Sequence, residues 1–265
     1  MKTNEIFERL WEQYAMENPS VKRIHQLFEE EEEHIVNDHV AFRTYNDPRV
    51  GIDVLSQAFT RDGFKEAGEY RFPEKKLFAR HYEKEGSPRV FISELLLDEF
   101  SEDLKKQLMG IIDKVPPKLL KSPELVLSGR IFGKPSHALY ESLRNESEYA
   151  AWVYVHGYRA NHFTVSVNHL ERFDTLQKVN TFLKNNGFEL NSSGGEIKGT
   201  PDELLEQSST LADRVTIDFK EGTHDIPSCY YEFARRHKDK HGVLFSSFIA
   251  GSADKIFEST DQRSG

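Results

Sequence analysis

The side chains of this sequence best suited to bind a catalytic metal are histidines and carboxylates. The 265 residues include eleven histidines and a single cysteine, Cys229, so a cysteine-rich zinc module and an internal disulfide are excluded. Two histidines, His39 in DHVAFRT and His162 in NHFTVSVN, lie in segments of similar, strand-like character. If a twofold repeat relates these strands, the two imidazoles can meet at one point and form part of a metal site.

A third ligand is expected from an acidic residue in an apolar strand. Glu94 in FISELLL and Glu232 in CYYEFAR both qualify, because a lone buried carboxylate is unfavourable unless it is paired or coordinated. Two imidazoles and one carboxylate on one side of an ion leave open positions for substrate and dioxygen, as in non-haem iron(II) oxygenases. These patterns leave both glutamates as candidates, and a hydrogen-bonded core role is the alternative for each histidine.

Arg43 is the candidate for recognising an acidic substrate. It follows His39 by four residues, and alternate side chains of a strand share a face. Its guanidinium can therefore bind a carboxylate beside the metal with two parallel hydrogen bonds, whereas a salt bridge at a strand edge is the alternative. Cys229 is expected to be a buried structural thiol, because no base stands beside it in the sequence.

The elements that carry these residues form a repeat. Each histidine strand is followed by an amphipathic stretch and a Gly-Phe pair, 24 residues after His39 and 25 after His162, and then by strand-forming segments. Both units are therefore predicted as βαβββ. In the second unit LADRVTIDF and CYYEFAR are the expected later strands, and the glycines and proline of residues 194–207 predict a loop or an extra hairpin.

The predicted fold class is α+β, with two βαβββ modules that form a cupped mixed sheet around a metal. The chain is interpreted as one elaborated domain, residues 1–265. Its expected parts are N-terminal helices, a first module, a helical insertion, a second module and a C-terminal segment, at residues 1–34, 35–97, 98–155, 156–240 and 241–265.

Composition excludes several classes of function. Lys and Arg number 35 against 44 Asp and Glu, and the resulting net charge of −9 disfavours a nucleic-acid partner. No run of about 18 apolar residues occurs, so no membrane partner is expected, and GxSxG, Walker A and GxGxxG motifs are absent. The amino terminus lacks the apolar core of a signal peptide, which together with the single cysteine predicts a cytoplasmic protein.

Five motifs together resemble the family of 2-oxoadipate dioxygenase/decarboxylases, namely DHVAFRT, NHFTVSVN, QSSTLADRV, YYEFARR and FIAGSADKIFEST. The resemblance extends from about residue 5 to residue 260. It implies an elaborated vicinal-oxygen-chelate fold in which iron(II) is held by two histidines and a glutamate, here His39, His162 and Glu232. It also implies that Arg43 contacts substrate, and that Ser252 does so from a C-terminal segment that closes the pocket.

The reaction implied by the resemblance converts 2-oxoadipate and dioxygen to 2-hydroxyglutarate and carbon dioxide, a step of lysine degradation. The expected partners are therefore a small-molecule 2-oxo acid and dioxygen. Glu94 and Gln207 are expected near the metal without binding it. One alternative is a glyoxalase-like metal-dependent lyase or isomerase, with Glu94 as a fourth ligand, and another is a non-catalytic small-molecule-binding protein on the same scaffold.

Overall fold

A computed structural model describes residues 3–260 of the chain. Its α-helices are α1 (Thr3–Glu17), α2 (Pro19–Glu30), α3 (Ile52–Leu55), α4 (Gln57–Thr60), α5 (Glu102–Ile112), α6 (His137–Glu146), α7 (Glu148–His156), α8 (Leu176–Asn185) and α9 (Ala250–Phe257). Its β-strands are β1 (Asn37–Tyr45), β2 (Lys65–Phe72), β3 (Leu77–Glu83), β4 (Arg89–Leu95), β5 (Ala160–Ser166), β6 (Lys198–Thr200), β7 (Leu205–Ser209), β8 (Arg214–Phe219), β9 (Gly222–Pro227) and β10 (Glu232–Arg236). No helix within residues 3–260 combines the length and the apolar composition needed to cross a bilayer.

Eight of the strands form one mixed sheet, in the order β2-β3-β4-β1-β5-β10-β7-β6. Strands β1 and β5 lie antiparallel at its centre, and each has a parallel neighbour on its outer side, β4 beside β1 and β10 beside β5. The other neighbouring pairs are antiparallel. The two halves of the sheet therefore have the same arrangement when each is followed outward from the centre.

One face of the sheet is apolar and packs against the N-terminal helices. The ring of Phe163 on β5 packs against Trp11 and Tyr14 of α1, and Phe233 on β10 packs against Phe28 of α2. Burial of these rings removes apolar surface from water and stabilises the fold. The alternate residues of the same strands point to the opposite face, which is where the polar side chains of the site collect.

The predicted fold class is confirmed, because two βαβββ modules form the mixed sheet. The first module consists of β1, the short helices α3 and α4, and strands β2 to β4. The second consists of β5, α8, β6, β7 and β10, and the separate hairpin β8-β9 is inserted before its last strand. Helices α5, α6 and α7 occupy the insertion between the modules.

The assignment of strands within the second module differs from the prediction. Residues 194–207, predicted as a loop or extra hairpin, supply β6 and most of β7, whereas RVTIDF forms β8 of the separate hairpin. Strand β7 has the sequence LEQSS, and all five residues are buried. Its polar side chains are hydrogen-bonded within the protein, to Glu232, Asn180, His237 and Ser259, so the apolar alternation that marks most strands is missing.

The two modules match in register around their histidines. The residue two places after His39 pairs with Phe91 on β4, and the residue two places after His162 pairs with Glu232 on β10. Two residues further along the central strands lie two equivalent rows, Arg43-Ser93-Ala79-Tyr70 in the first module and Ser166-Ala234-Gln207-Lys198 in the second. Because paired residues on neighbouring strands share a face, each side chain of one row has a counterpart in the other.

Candidate metal centre

Three of the predicted ligands meet on the polar face of the sheet. They are His39 on β1, His162 on β5 and Glu232 at the start of β10, and their ligand atoms all lie within 4.8 Å of one another. Nε2 of His162 is 3.0 Å from Oε2 of Glu232, and Nε2 of His39 is 3.7 Å from Oε1 of the same carboxylate. All three side chains are buried, so the centre is shielded from solvent.

Each imidazole is oriented by the residue that precedes it. Nδ1 of His39 is 2.8 Å from Oδ1 of Asp38, and Nδ1 of His162 is 3.0 Å from Oδ1 of Asn161. Because these oxygens are acceptors, we assign the ring proton to Nδ1, which leaves each Nε2 as an acceptor. Nε2 of His39 also lies 3.1 Å from the hydroxyl of Thr164, which can donate to it. Metal-binding histidines commonly have such an oxygen behind the ring, where it fixes the tautomer and the ring orientation.

Polar atoms at the centre lack hydrogen-bond partners within residues 3–260. Burial lowers the pKa of His162 and favours the neutral ring, whose Nε2 lone pair then faces a carboxylate oxygen of Glu232 at 3.0 Å. Two acceptors at this distance repel each other unless a cation lies between them. Oε2 of Glu232 and Oε1 of Gln207 are both buried without a hydrogen-bond donor. This set of nitrogen and oxygen ligands fits a divalent metal ion.

The carboxylate of Glu232 is held in its charged form. Burial has the largest influence and opposes its ionisation, yet the pKa of Glu232 lies below its usual value, and a hydrogen bond from Gln207 contributes to that lowering. Nε2 of Gln207 donates a hydrogen bond of 2.6 Å to Oε1 of Glu232. The site therefore offers a cation one negative charge that is already oriented.

A small cavity adjoins the three ligands. Its volume is about 20 Å³, which is enough for one water molecule. Its walls are mostly apolar and come from β4 and from the C-terminal segment, through Phe91, Phe248, Ala253, Ile256 and Phe257. Helix α9 and the residues before it therefore cover the centre.

Comparison with known proteins agrees with this geometry. The family model described as 2-oxoadipate dioxygenase/decarboxylase matches residues 6–123 and 130–242. A rice (Oryza sativa) protein of that name, chloroplastic/amyloplastic, is 38% identical over 93% of this chain and 75% of its own length. The chain belongs to the 2-oxoadipate dioxygenase/decarboxylase family.

Two solved structures are similar to this chain over nearly its whole length. Rice hydroxyglutarate synthase in complex with 2-oxoadipate is 36% identical, with a TM-score of 0.91 over 97% of this chain and 91% of that one. A protein from Shewanella frigidimarina, described as a hydrolase, is 48% identical, with a TM-score of 0.87 over 93% of this chain and 97% of that one. The likeness thus covers nearly the whole fold.

In this member of the 2-oxoadipate dioxygenase/decarboxylase family, Arg43 is buried next to the covered cavity. Its guanidinium is 3.4 Å from Oε1 of Glu148 and 3.0 Å from Oγ1 of Thr260, and no residue among 3–260 accepts a hydrogen bond from its Nε. It lines a second, larger cavity of about 180 Å³, together with Lys75. Phe257 borders both cavities and so separates the guanidinium from the ligands.

Glu94 lies at a different place from the one expected. Its carboxylate accepts hydrogen bonds from the backbone N–H of Ile52 and from Nδ2 of Asn46, both at 3.0 Å, and it borders a separate surface cavity. The register of β1 with β4 assigns the position equivalent to Glu232 to Phe91, three residues earlier. The lyase alternative with Glu94 as a fourth ligand therefore loses the residue on which it depends.

The other predicted site residues divide into two groups. Gln207 contacts Glu232 and lines the cavity, as described above. Ser252 is buried on α9 beside Gly199 of β6 and is not among the residues that line the cavity. Cys229 is a buried free thiol whose Sγ is 3.4 Å from the guanidinium of Arg159, away from the three ligands.

The residues behind the histidines were missed by the sequence analysis, although a signal for them exists. The paired dipeptides Asp38-His39 and Asn161-His162 place a side-chain oxygen directly before each ligand histidine. Within an alternating strand this residue points to the opposite face, so the pattern gives no reason to expect contact. The structure nevertheless brings each oxygen to within 3.0 Å of Nδ1 of the following ring.

Proposed function

We propose that this protein is an iron(II)-dependent dioxygenase/decarboxylase that converts 2-oxoadipate and dioxygen to 2-hydroxyglutarate and carbon dioxide. The observation that carries the proposal is the buried cluster of two imidazoles and one carboxylate, with acceptor atoms directed at a common centre. Membership of the family and the likeness to a rice enzyme that binds 2-oxoadipate support the choice of substrate. The predicted cytoplasmic location and the predicted role in lysine degradation stay predictions.

His39, His162 and Glu232 would hold the iron, with Gln207 keeping the carboxylate in place. When bound, iron(II) supplies the one-electron chemistry that lets dioxygen react with the organic acid. The task of the protein is to bind and orient the substrate and to exclude water. Phe91, Phe248 and the residues of α9 perform the last of these, because they leave space for no more than one water molecule beside the ligands.

Arg43 would bind the distal carboxylate of the substrate. Its guanidinium lies on the same face of β1 as His39, in a pocket formed partly by the rings of Tyr149 and Trp152. A forked guanidinium suits a carboxylate, which accepts two parallel hydrogen bonds. Because Phe257 separates the two cavities, a diacid that reaches from the ligands to Arg43 must displace this ring.

Oxygen consumption by the iron-loaded protein tests the proposal. The purified chain is reconstituted anaerobically with iron(II), then mixed with dioxygen and 2-oxoadipate in an oxygen electrode, and products are identified by mass spectrometry. We expect one carbon dioxide and one 2-hydroxyglutarate for each dioxygen consumed. The matched control is 2-oxohexanoate, which has the same carbon chain but no distal carboxylate and should react poorly.

Two results would contradict the proposal. Iron-loaded protein that consumes no dioxygen with 2-oxoadipate or with shorter and longer 2-oxo diacids is not an oxygenase of this class. Conversion of a 2-oxo acid under strict anaerobiosis, with no oxidised product, would indicate lyase or hydrolase chemistry at the same site.

A further inference from the structure

Arg236 joins a predicted metal ligand to the segment that covers it. The side chain lies at the end of β10, four residues after Glu232, and is buried. Its Nε and Nη2 donate to the two carboxylate oxygens of Asp38, at 2.7 and 2.9 Å. The Oδ1 atom of the same Asp38 accepts from Nδ1 of His39 at 2.8 Å. Nη1 of Arg89 is 3.5 Å from Oδ2 of Asp38, so Arg236 makes the two shorter contacts to the carboxylate that orients one candidate ligand ring.

The remaining nitrogen of the guanidinium binds a different part of the chain. Nη1 of Arg236 donates to the backbone carbonyls of Ser247 at 2.7 Å and of Phe245 at 3.2 Å. We call residues 245–249 the covering segment, because Phe248 lines the cavity at the ligands. The N–H of Phe248 also donates to the hydroxyl of Tyr70, at 3.1 Å. Arg236 and Tyr70 together attach the covering segment to the sheet.

The covering segment also touches the ligand directly. The ring of Phe248 meets the His39 imidazole edge-on, with ring centres 4.8 Å apart, and the guanidinium of Arg236 lies 5.1 Å from the centre of the same ring. A movement of Phe248 would therefore disturb both Arg236 and His39. A movement of Asp38 would shift the guanidinium of Arg236 and so weaken its hydrogen bonds to the carbonyls of Phe245 and Ser247.

We propose that Arg236 is a positioning residue that couples metal binding at His39 to closure of the covering segment. The inference rests on the proposed metal site. Because coupling between two sites is reciprocal, a metal held by His39 favours the closed segment, and the closed segment increases metal affinity by the same factor. An arginine suits this role because one planar group binds a carboxylate with two nitrogens and two carbonyls with the third.

A buried arginine can also act only through stability, and Arg159 provides the matched control. It is as buried as Arg236, and it pairs with Glu17 and Cys229, none of which is a predicted metal ligand. Arg159→Lys should lower the melting temperature without changing the metal site. Arg236→Lys keeps the charge but loses the fork, so its effect on the metal site separates positioning from general stability.

The test uses cobalt(II) as the probe, with the full chain. Cobalt(II) affinity is measured by competition with a chelator, and backbone hydrogen exchange of residues 245–249 is measured with and without cobalt(II). In the wild type we expect the metal to slow exchange of the covering segment about 5- to 150-fold, the usual range of coupling between sites. In Arg236→Lys we expect affinity to fall about 10- to 100-fold, as for other residues that orient a metal ligand, and the metal-dependent slowing to disappear.

The outcomes separate the two proposals. Arg236→Lys that matches Arg159→Lys in cobalt(II) affinity and in metal-dependent exchange would overturn the coupling while leaving the metal site intact. A wild type that binds no cobalt(II), iron(II) or manganese(II) would overturn the proposed function, and the coupling with it. Melting curves confirm that each variant is folded, and Asp38→Asn, which weakens the same link from its other end, should reproduce the effect of Arg236→Lys.

Discussion

The two modules of the sheet share one register but supply different side chains to the site. Both contribute a histidine from the central strand, His39 in the first module and His162 in the second. The strands beside them then diverge at equivalent positions, where the first module has Phe91, Ala79 and Tyr70 and the second has Glu232, Gln207 and Lys198. The negative charge that the site offers to a metal thus comes from the second module.

Two residues further along the central strands, the charged side chain belongs to the first module instead of the second. Arg43 belongs to the first module, and its counterpart in the second is Ser166. The second module therefore provides the proposed anionic ligand, whereas the first provides an apolar wall and a cation. A twofold repeat of backbone positions places two candidate ligands symmetrically, and the differences between equivalent side chains separate the half that supplies the proposed anionic ligand from the half proposed to bind substrate.

The largest effect is expected at the position where the modules differ by a carboxylate. Glu232→Gln keeps the shape of the side chain and removes its charge, so iron(II) affinity should fall at least about 100-fold and oxygen uptake should be lost. Anaerobic titration against a competing chelator measures the affinity. Phe91→Leu, at the equivalent position of the first module, should keep iron(II) affinity close to that of the wild type. Affinity within threefold of the wild type in Glu232→Gln would remove this residue from the ligand set.

The second prediction concerns the cation that only the first module has. Arg43→Ala should lower kcat/KM for 2-oxoadipate roughly 30-fold to several thousandfold, the effect of losing about 2 to 5 kcal/mol from a buried charge pair. Iron(II) affinity should change little, and Arg43→Lys should restore little activity because it lacks the fork. Ser166→Ala is the control in the second module. A kcat/KM within about threefold of the wild type in Arg43→Ala would contradict the anchoring role.

The sequence was sufficient for the parts of the site that depend on the repeat. Because DHVAFRT and NHFTVSVN are similar, His39 and His162 could be matched, and a buried acid, Glu94 or Glu232, could be added as a third candidate. The choice of Glu232 came from the family resemblance, and the structure places this residue beside both histidines. The register between β1 and β4 could not be read from sequence, since FISELLL offers only one acid. Glu94 was therefore expected near the metal, where the structure has Phe91 instead.

Other features depend on contacts between distant segments. The polar side chains of strand β7 are buried and hydrogen-bonded to distant segments, and a strand without apolar alternation resembles a loop in sequence. Arg236 is in a basic run, RRHKDKH, whose composition suggests a solvated turn. Its burial follows from pairing with Asp38, a residue 198 positions earlier in the chain. No local sequence pattern predicts such a pair.

A smaller effect is expected at Gln207, whose counterpart is Ala79. Gln207→Leu removes the 2.6 Å hydrogen bond that orients Glu232, so iron(II) affinity should fall about 10- to 100-fold while the triad itself persists. Ser208→Ala is the matched control, because Ser208 is the next residue on β7 and its hydroxyl donates to Asn180 of α8 on the other face. Equal affinities in the two variants would show that Gln207 does not orient the ligand.

The smallest effect is expected at Lys198 and Tyr70, which occupy equivalent positions on the two edge strands, β6 and β2. Their contributions to stability should depend on pH in opposite directions. Burial lowers the pKa of Lys198 to about 8, despite the opposing influence of Glu232 and Glu258. In the unfolded chain this pKa is about 10.4. Between these values the unfolded state binds the extra proton, so the lysine makes the free energy of unfolding rise with pH, by at most about 1.4 kcal/mol per pH unit.

Burial raises the pKa of Tyr70, so its contribution has the opposite sign. Above about pH 10 the unfolded chain loses the phenol proton first, and stability falls as pH rises. Urea unfolding of chelator-treated protein tests both statements, with each variant compared to wild type so that shared groups cancel. The free energy of unfolding of the wild type should rise relative to that of Lys198→Met between pH 8 and 10. It should fall relative to that of Tyr70→Phe above pH 10. A difference in the free energy of unfolding between wild type and Lys198→Met that stays constant from pH 7.5 to 9.5 would contradict the prediction, because it would show that the Lys198 ammonium keeps its ordinary pKa in the folded protein.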